Sequence, residues 1–173
     1  MKIALINPYE LGRQPFGLAE PAAFLKRDGH AVTCCDLSIQ KLDDCLTADT
    51  GIVAIYIAMH TATRIAIEAL PKIKQLAPNA SLCVYGLYAP MNAELFRSLG
   101  VMTVIGGEFE YGLCDMAGRI QSGKGERQTE PETRLDKIQF IAPDRDTLPE
   151  LSRYAQLINT DGSTQTVGFS ETT

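Results

Sequence analysis

Short apolar runs alternate with longer segments of helical period along residues 1–122, and few folds accept that pattern. The runs Lys2–Ile6, Ala31–Asp36, Ile52–Ile57, Leu82–Tyr85 and Thr103–Ile105 are rich in β-branched or aliphatic side chains and apolar on both faces. Strands of a parallel sheet covered by helices on both sides have that character. Helices are predicted between them, over Gly17–Asp28, Thr61–Leu76, Met91–Ser98 and Glu108–Gln121. Gly29 and Gly100 each stand just before a new strand, where a helix C-terminus needs a left-handed residue. Five strands with four or five helices in about 120 residues predict a doubly wound, flavodoxin-like α/β sheet of strand order 2-1-3-4-5.

Residues 123–173 are denser in charge, hold no cysteine and contain Pro131, Pro143 and Pro149. They open on a polar stretch without period, from Ser122 to Thr133, which reads as a linker. The expected organisation is therefore an α/β domain over 1–122 and a mostly irregular extension over 123–173, too poor in apolar residues for its own core and expected to be largely mobile. No window approaches an 18-residue apolar span, so a membrane span is not expected. A net charge of −5 offers no basic footprint for nucleic acid. The apolar start of the chain is stopped at once by Asn7 and Pro8, too early for a signal peptide, and a cytoplasmic location is expected. The five cysteines, at 34, 35, 45, 83 and 114, have neither framework nor metal-knuckle spacing, and read as buried reduced thiols.

In a sheet of this order, ligands bind beyond the carboxyl ends of the strands. The chemistry is to be sought in the loops Asn7–Phe16, Ala58–Thr61, Gly86–Pro90 and Gly106–Glu110. A dinucleotide site needs Gly-x-Gly-x-x-Gly so that backbone can approach a pyrophosphate, but the first loop reads Asn-Pro-Tyr-Glu-Leu-Gly-Arg-Gln-Pro-Phe-Gly. It also lacks a Walker phosphate loop and the hydroxyl run of a flavin-phosphate cradle. A phospho-acceptor receiver would need acids after the first strand and an Asp ending the third, where this chain has Asn7 and Met59-His60.

The loop pattern that remains resembles the cobalamin-binding domain at the N-terminus of many radical S-adenosylmethionine (SAM) enzymes. The resemblance runs through Pro15-Phe16-Gly17-Leu18-Ala19, Pro21-Ala22-Ala23-Phe24-Leu25, Asp28-Gly29-His30-Ala31-Val32 and Asp36. It continues through Ile55–Thr63, Val84-Tyr85-Gly86-Leu87-Tyr88 and Val104-Ile105-Gly106-Gly107-Glu108-Phe109-Glu110, and so covers residues 1–122 in order. The stretch Glu10–Ala19 also resembles the CUAEP/CCAEP-tail subgroup. What the resemblance implies is a cobalamin site drawn from Glu10, Gly12, Arg13, Gln14, Gly17, Ala58, Met59, His60, Thr61, Gly86, Leu87, Tyr88, Gly106, Gly107 and Glu108. It implies no catalytic residue in this chain. In the whole enzyme, a partial barrel would follow and bind a 4Fe–4S cluster and SAM. Leu148–Tyr154 resembles the short helix before that barrel, and Thr166–Thr173 its lead-in strand, but no cysteine follows Cys114 to build the cluster. The chain is thus expected to be a module without its catalytic barrel, not catalytic alone.

A corrin is broad, flat and mostly apolar with an amide fringe, and small residues such as Gly12, Gly17, Ala58, Gly86, Gly106 and Gly107 suit its approach. Cobalamin mutases supply cobalt with a His from Asp-x-His-x-x-Gly. Counted back from Gly17, those positions here are Gly12 and Gln14, so that ligand is absent and no metal ligand is assigned, with His60 the one candidate from another loop. Each candidate also has a structural explanation: His60 and Glu108 as residues opening helices, His30 as part of a turn, Tyr56 as core. Two further readings follow from the same residues. One is a vestigial docking module that binds no cobalamin, and the other a binding domain for another nucleotide-like ligand.

Overall fold

The computed structural model describes residues 1–125, 132–135 and 137–168. Its sheet runs β2(Ala31–Asp36)–β1(Lys2–Asn7)–β3(Ile52–Tyr56)–β4(Ser81–Tyr85)–β5(Thr103–Gly107)–β6(Glu132–Arg134), all parallel. The order 2-1-3-4-5 is the one predicted, and the fold is doubly wound α/β. The sixth strand corrects the sequence reading: Glu132–Arg134, taken for linker, pairs beside β5. Three residues of such polarity carry no period, and only the open edge of β5 makes them a strand.

Side chains alternate across the sheet and so build two cores. Ala4, Ile6, Val53, Ile55 and Val84 point to one face, under α3(His60–Leu76) and α4(Ala93–Ser98). Ile3, Leu5, Ala54, Tyr56, Cys83 and Tyr85 point to the other, under α1(Phe16–Arg27) and α5(Glu110–Gln121). The helices present matching stripes. In α1, Leu18, Ala22 and Leu25 face the sheet, and in α3, Ala66, Leu70 and Ile73 do so. Both predicted helix stops are left-handed glycines, Gly29 at φ 85° and Gly100 at φ 83°. The amides after them return to the last turn, His30 N–H to the Leu25 carbonyl and Val101 N–H to that of Phe96.

Three local differences have plain causes. Predicted helix Met91–Ser98 is a 3-10 turn at Pro90–Asn92 followed by α4, because Pro90 sets a tight first turn. The α5 helix begins at Glu110, not Glu108, since Gly107 adopts φ 64° and Glu108 stays in the loop. The segment after Asp36 also forms a one-turn helix, α2(Leu42–Cys45). Cys45 on that turn is disulfide-bonded to Cys35 of β2, Cα atoms 5.8 Å apart. This corrects the expectation of reduced thiols for that pair, which only the fold of residues 36–45 brings together. Cys34, Cys83 and Cys114 form no disulfide.

Among the described residues the extension is mostly irregular, and it is not detached. Leu148 is buried in the core under α1, Lys26 pairs with Asp144 at 2.7 Å, and the Thr147 hydroxyl accepts from the backbone N–H of Cys34 on edge strand β2. The sequence reading assigned no packing partner to this part. Its predicted helix Leu148–Tyr154 is a 3-10 turn at Leu151–Arg153. Beyond it, β7(Gln156–Ile158) and β8(Thr164–Thr166) form an antiparallel hairpin. The predicted lead-in strand Thr166–Thr173 is not found as drawn: Thr166 ends β8, residues 167–168 are not strand, and 169–173 lie outside the described residues. Among the described residues no helix is long and apolar enough to cross a membrane.

Candidate functional site

Because the strands are parallel, the loops after β1, β3, β4 and β5 open on one edge. That edge gathers Gly17 in the first turn of α1, Ala58 and Met59 before α3, and His60 and Thr61 opening it. Gly86, Leu87 and Tyr88 follow β4, Gly106 and Gly107 end β5, and Glu108 precedes α5. His60 and Gly107 are exposed. So are three large apolar side chains, Leu11 at 55%, Leu87 at 74% and Met91 at 77% of full exposure. Water-facing apolar groups of this size on several loops of one edge form a surface suited to a flat apolar ligand or a partner. Among the described residues, no three His, Cys, Asp or Glu side chains gather as a metal site.

Below the edge lie three aromatic rings. Tyr56, Tyr85 and Phe109 stand 4.9 to 5.9 Å apart, centre to centre. The Tyr56 ring fills the space that two missing side chains leave. A Cβ on Gly17 would lie 2.7 Å from its Cε2, and one on Gly86 2.8 Å from the same atom. Tyr85 is wholly buried, and desolvation above all holds its phenol pKa well above the ordinary range. Its hydroxyl donates to the Gly17 carbonyl at 2.8 Å. The remaining cavity here, about 250 Å³, is lined by Phe16, Glu20, Tyr56, Leu87, Gly107, Glu108, Phe109, Glu110 and Phe140. Glu20 and Glu110 are both buried.

The β1–α1 loop is shaped by the extension. Glu10 and Gln14, expected to face a ligand, are buried at 6% and 4% exposure. The Gln14 amide donates to the Pro149 carbonyl at 2.8 Å and accepts from the Arg145 guanidinium at 2.5 Å. The Gly12 carbonyl accepts from the Ala155 N–H at 2.9 Å. Arg13 remains exposed. At the start of this contacted stretch Leu11 takes φ 51° and Gly12 φ 75°. A left-handed leucine costs about 1–2 kcal/mol and persists only where its surroundings fix it.

Beside the loop, Asn7 and Asp36 end β1 and β2 without any exposure, and Asn7 Nδ2 donates to Asp36 Oδ1 at 3.1 Å. Ser38 donates to the same oxygen from its backbone N–H and its hydroxyl. Tyr154 of the extension packs there, its phenol pKa raised by burial and then by the Asp36 charge. Sequence reasoning missed the three-ring cluster and the contribution of Arg145, Thr147, Pro149, Tyr154 and Ala155. The equal parity of Tyr56 and Tyr85 with the core positions of their strands signalled the first. Nothing local signalled the second.

No protein-family model matches the chain, and no curated protein matches it in sequence. Solved structures do match in shape. The radical SAM methyltransferase TsrM from Kitasatospora setae, solved with cobalamin and a [4Fe-4S] cluster bound, aligns with a TM-score of 0.60 and 20% identity over 70% of this chain and 26% of that one. The cobalamin-dependent SAM radical enzyme OxsB, solved with aqua-cobalamin bound, aligns with a TM-score of 0.52 and 13% identity over 99% of this chain and 22% of that one. The likeness is one of fold. The chain spans about a quarter of the length of each of these proteins.

Proposed function

We propose that the carboxyl edge of this sheet is a cobalamin-binding platform, and that the chain serves as the cobalamin module of a radical SAM protein whose barrel would carry the 4Fe–4S cluster and SAM. The observation that carries the reading is the exposure of Leu87, beside the side-chain-free Gly107, and of Met91 on the same β4–α4 connection, on a fold shared with two proteins solved with cobalamin bound. A corrin would lie on that ledge, its apolar face against Leu87, Met91 and Leu11, its amide fringe toward Tyr88, Arg13 and Glu108. The residues present fit a ring laid flat. They do not fit a nucleotide tail pushed between Gly17 and Gly86, because Tyr56 fills that space. His60, exposed at the start of α3, would offer its imidazole nitrogen to cobalt from this edge. Bound cobalamin would supply methyl-transfer chemistry, and this chain's residues would hold and orient it.

A second reading, a docking module that binds no corrin, draws on the cavity. Its volume of about 250 Å³ lies below the roughly 300–1,000 Å³ of ordinary small-molecule sites. Titration with hydroxocobalamin, followed by visible absorbance and calorimetry, separates the two. Saturable binding that Leu87→Asp weakens at least about tenfold, the cost of placing a charge against an apolar ring, supports the platform. Absence of saturable binding favours docking. A binding isotherm that Leu87→Asp and Met91→Asp leave unchanged would mean that the ligand sits elsewhere.

A further inference from the structure

We infer that residues 144–155 act as a strap that sets the shape of the β1–α1 loop, with Arg145 and Ala155 as positioning residues for the candidate site. The strap is anchored away from the loop by the Lys26–Asp144 pair, by Thr147 on the edge of β2 and by buried Leu148. From those anchors it reaches the loop at two points on either side of Arg13: Gln14, held between Arg145 and the Pro149 carbonyl, and Gly12, whose carbonyl takes the Ala155 N–H. Within the loop the Arg13 N–H turns back to the Glu10 carbonyl at 2.9 Å, closing the turn that carries left-handed Leu11 and Gly12. An unfavourable conformation in an exposed turn needs fixing from outside, and the strap supplies contacts at Gly12 within the turn and at Gln14 just after it. The consequence is local. Leu11 is held outward at the sheet edge, in the orientation a flat ligand would meet, and the polar side chains Glu10 and Gln14 are turned inward. Gln14 is thereby engaged by the strap, which explains why this polar side chain of an exposed loop faces away from solvent.

The role assigned to a ligand rests on the cobalamin reading, whereas the loop-shaping role does not. Hydrogen exchange on the full chain therefore comes first, comparing wild type with Arg145→Ala and with Ala155→Pro, which deletes the donor to Gly12. Exchange of residues 9–15 about tenfold or more faster in both variants, with β1 and β3 unchanged, is expected if the strap fixes the loop. Unchanged exchange in the loop overturns the inference, as does faster exchange throughout β1 and β3. Hydroxocobalamin affinity of the same variants gives the second arm. If wild type binds, affinity about tenfold weaker in both variants supports positioning, since a loosened loop must be ordered on binding. Unchanged or tighter binding overturns it. If wild type binds nothing, the cobalamin reading fails and the exchange result alone decides the strap.

Discussion

The Tyr85 hydroxyl lies 2.8 Å from the carbonyl oxygen of Gly17, and it supplies a donor that α1 cannot provide for itself. Four residues after Gly17 stands Pro21, inside the helix, with no N–H for the i+4 bond. The phenol of β4 takes that place, tying sheet to helix across 68 residues.

Tyr85→Phe strands a buried carbonyl, and a loss of about 1–3 kcal/mol is expected in urea unfolding at constant m. Pro21→Ala returns a backbone N–H to α1. The double variant is therefore expected to recover much of the loss, and strict additivity of the two changes would contradict the assignment.

Gly17→Ala raises helix propensity but drives a methyl group into the Tyr56 ring. The clash is expected to win, with a net loss of about 1–3 kcal/mol. Combining it with Tyr56→Leu makes room for the methyl, so the Gly17→Ala penalty shrinks in that background. An equal penalty in both backgrounds would place the strain elsewhere.

Thiol titration of the unreduced, denatured protein is expected to give three equivalents, from Cys34, Cys83 and Cys114, and five after reduction. In the native protein these three react slowly: burial pushes the Cys34 thiol up to about 11 and the Cys114 thiol up to about 12, leaving little thiolate at neutral pH. Cys45→Ala under oxidising conditions is expected to cost roughly 2–3 kcal/mol, the loop-closure effect of a short disulfide loop. Five equivalents without reductant would refute the pairing.

Burial lowers the His30 pKa below 6.5, aided by the nearby N-terminal charge and opposed by Asp28. A base whose folded pKa is depressed binds more protons when unfolded, so its contribution is complete above pH 6.5 and falls away as pH drops through that value. The urea midpoint is expected to rise between pH 5.5 and 7.5, and His30→Asn to flatten that rise. An unchanged slope in the variant would assign the pH dependence to other groups.

The strand order and both faces of the sheet were legible because the apolar residues of β1, β3 and β4 leave no polar face, and only helices on both sides can cover such strands. The helix stops at Gly29 and Gly100 were legible for a local reason, the sterics of one residue. The candidate loops followed from topology alone. The partners of their side chains did not: the structure buries Gln14 and Glu10, with the Gln14 amide engaged by Arg145 and Pro149. That contact spans more than 130 residues of chain, and no spacing rule reaches so far.

The sequence by itself determined the elements, their order and the edge on which the chemistry must lie, because hydrophobic period and turn sterics act over a few residues. The tertiary structure decided the sixth strand, the Cys35–Cys45 pair, the Tyr56 ring between Gly17 and Gly86, and the attachment of the extension. Each depends on which surfaces remain open once the sheet has formed. An unpaired strand edge, a missing side chain or a helix carbonyl without a donor is satisfied by whatever distant residue the fold brings near.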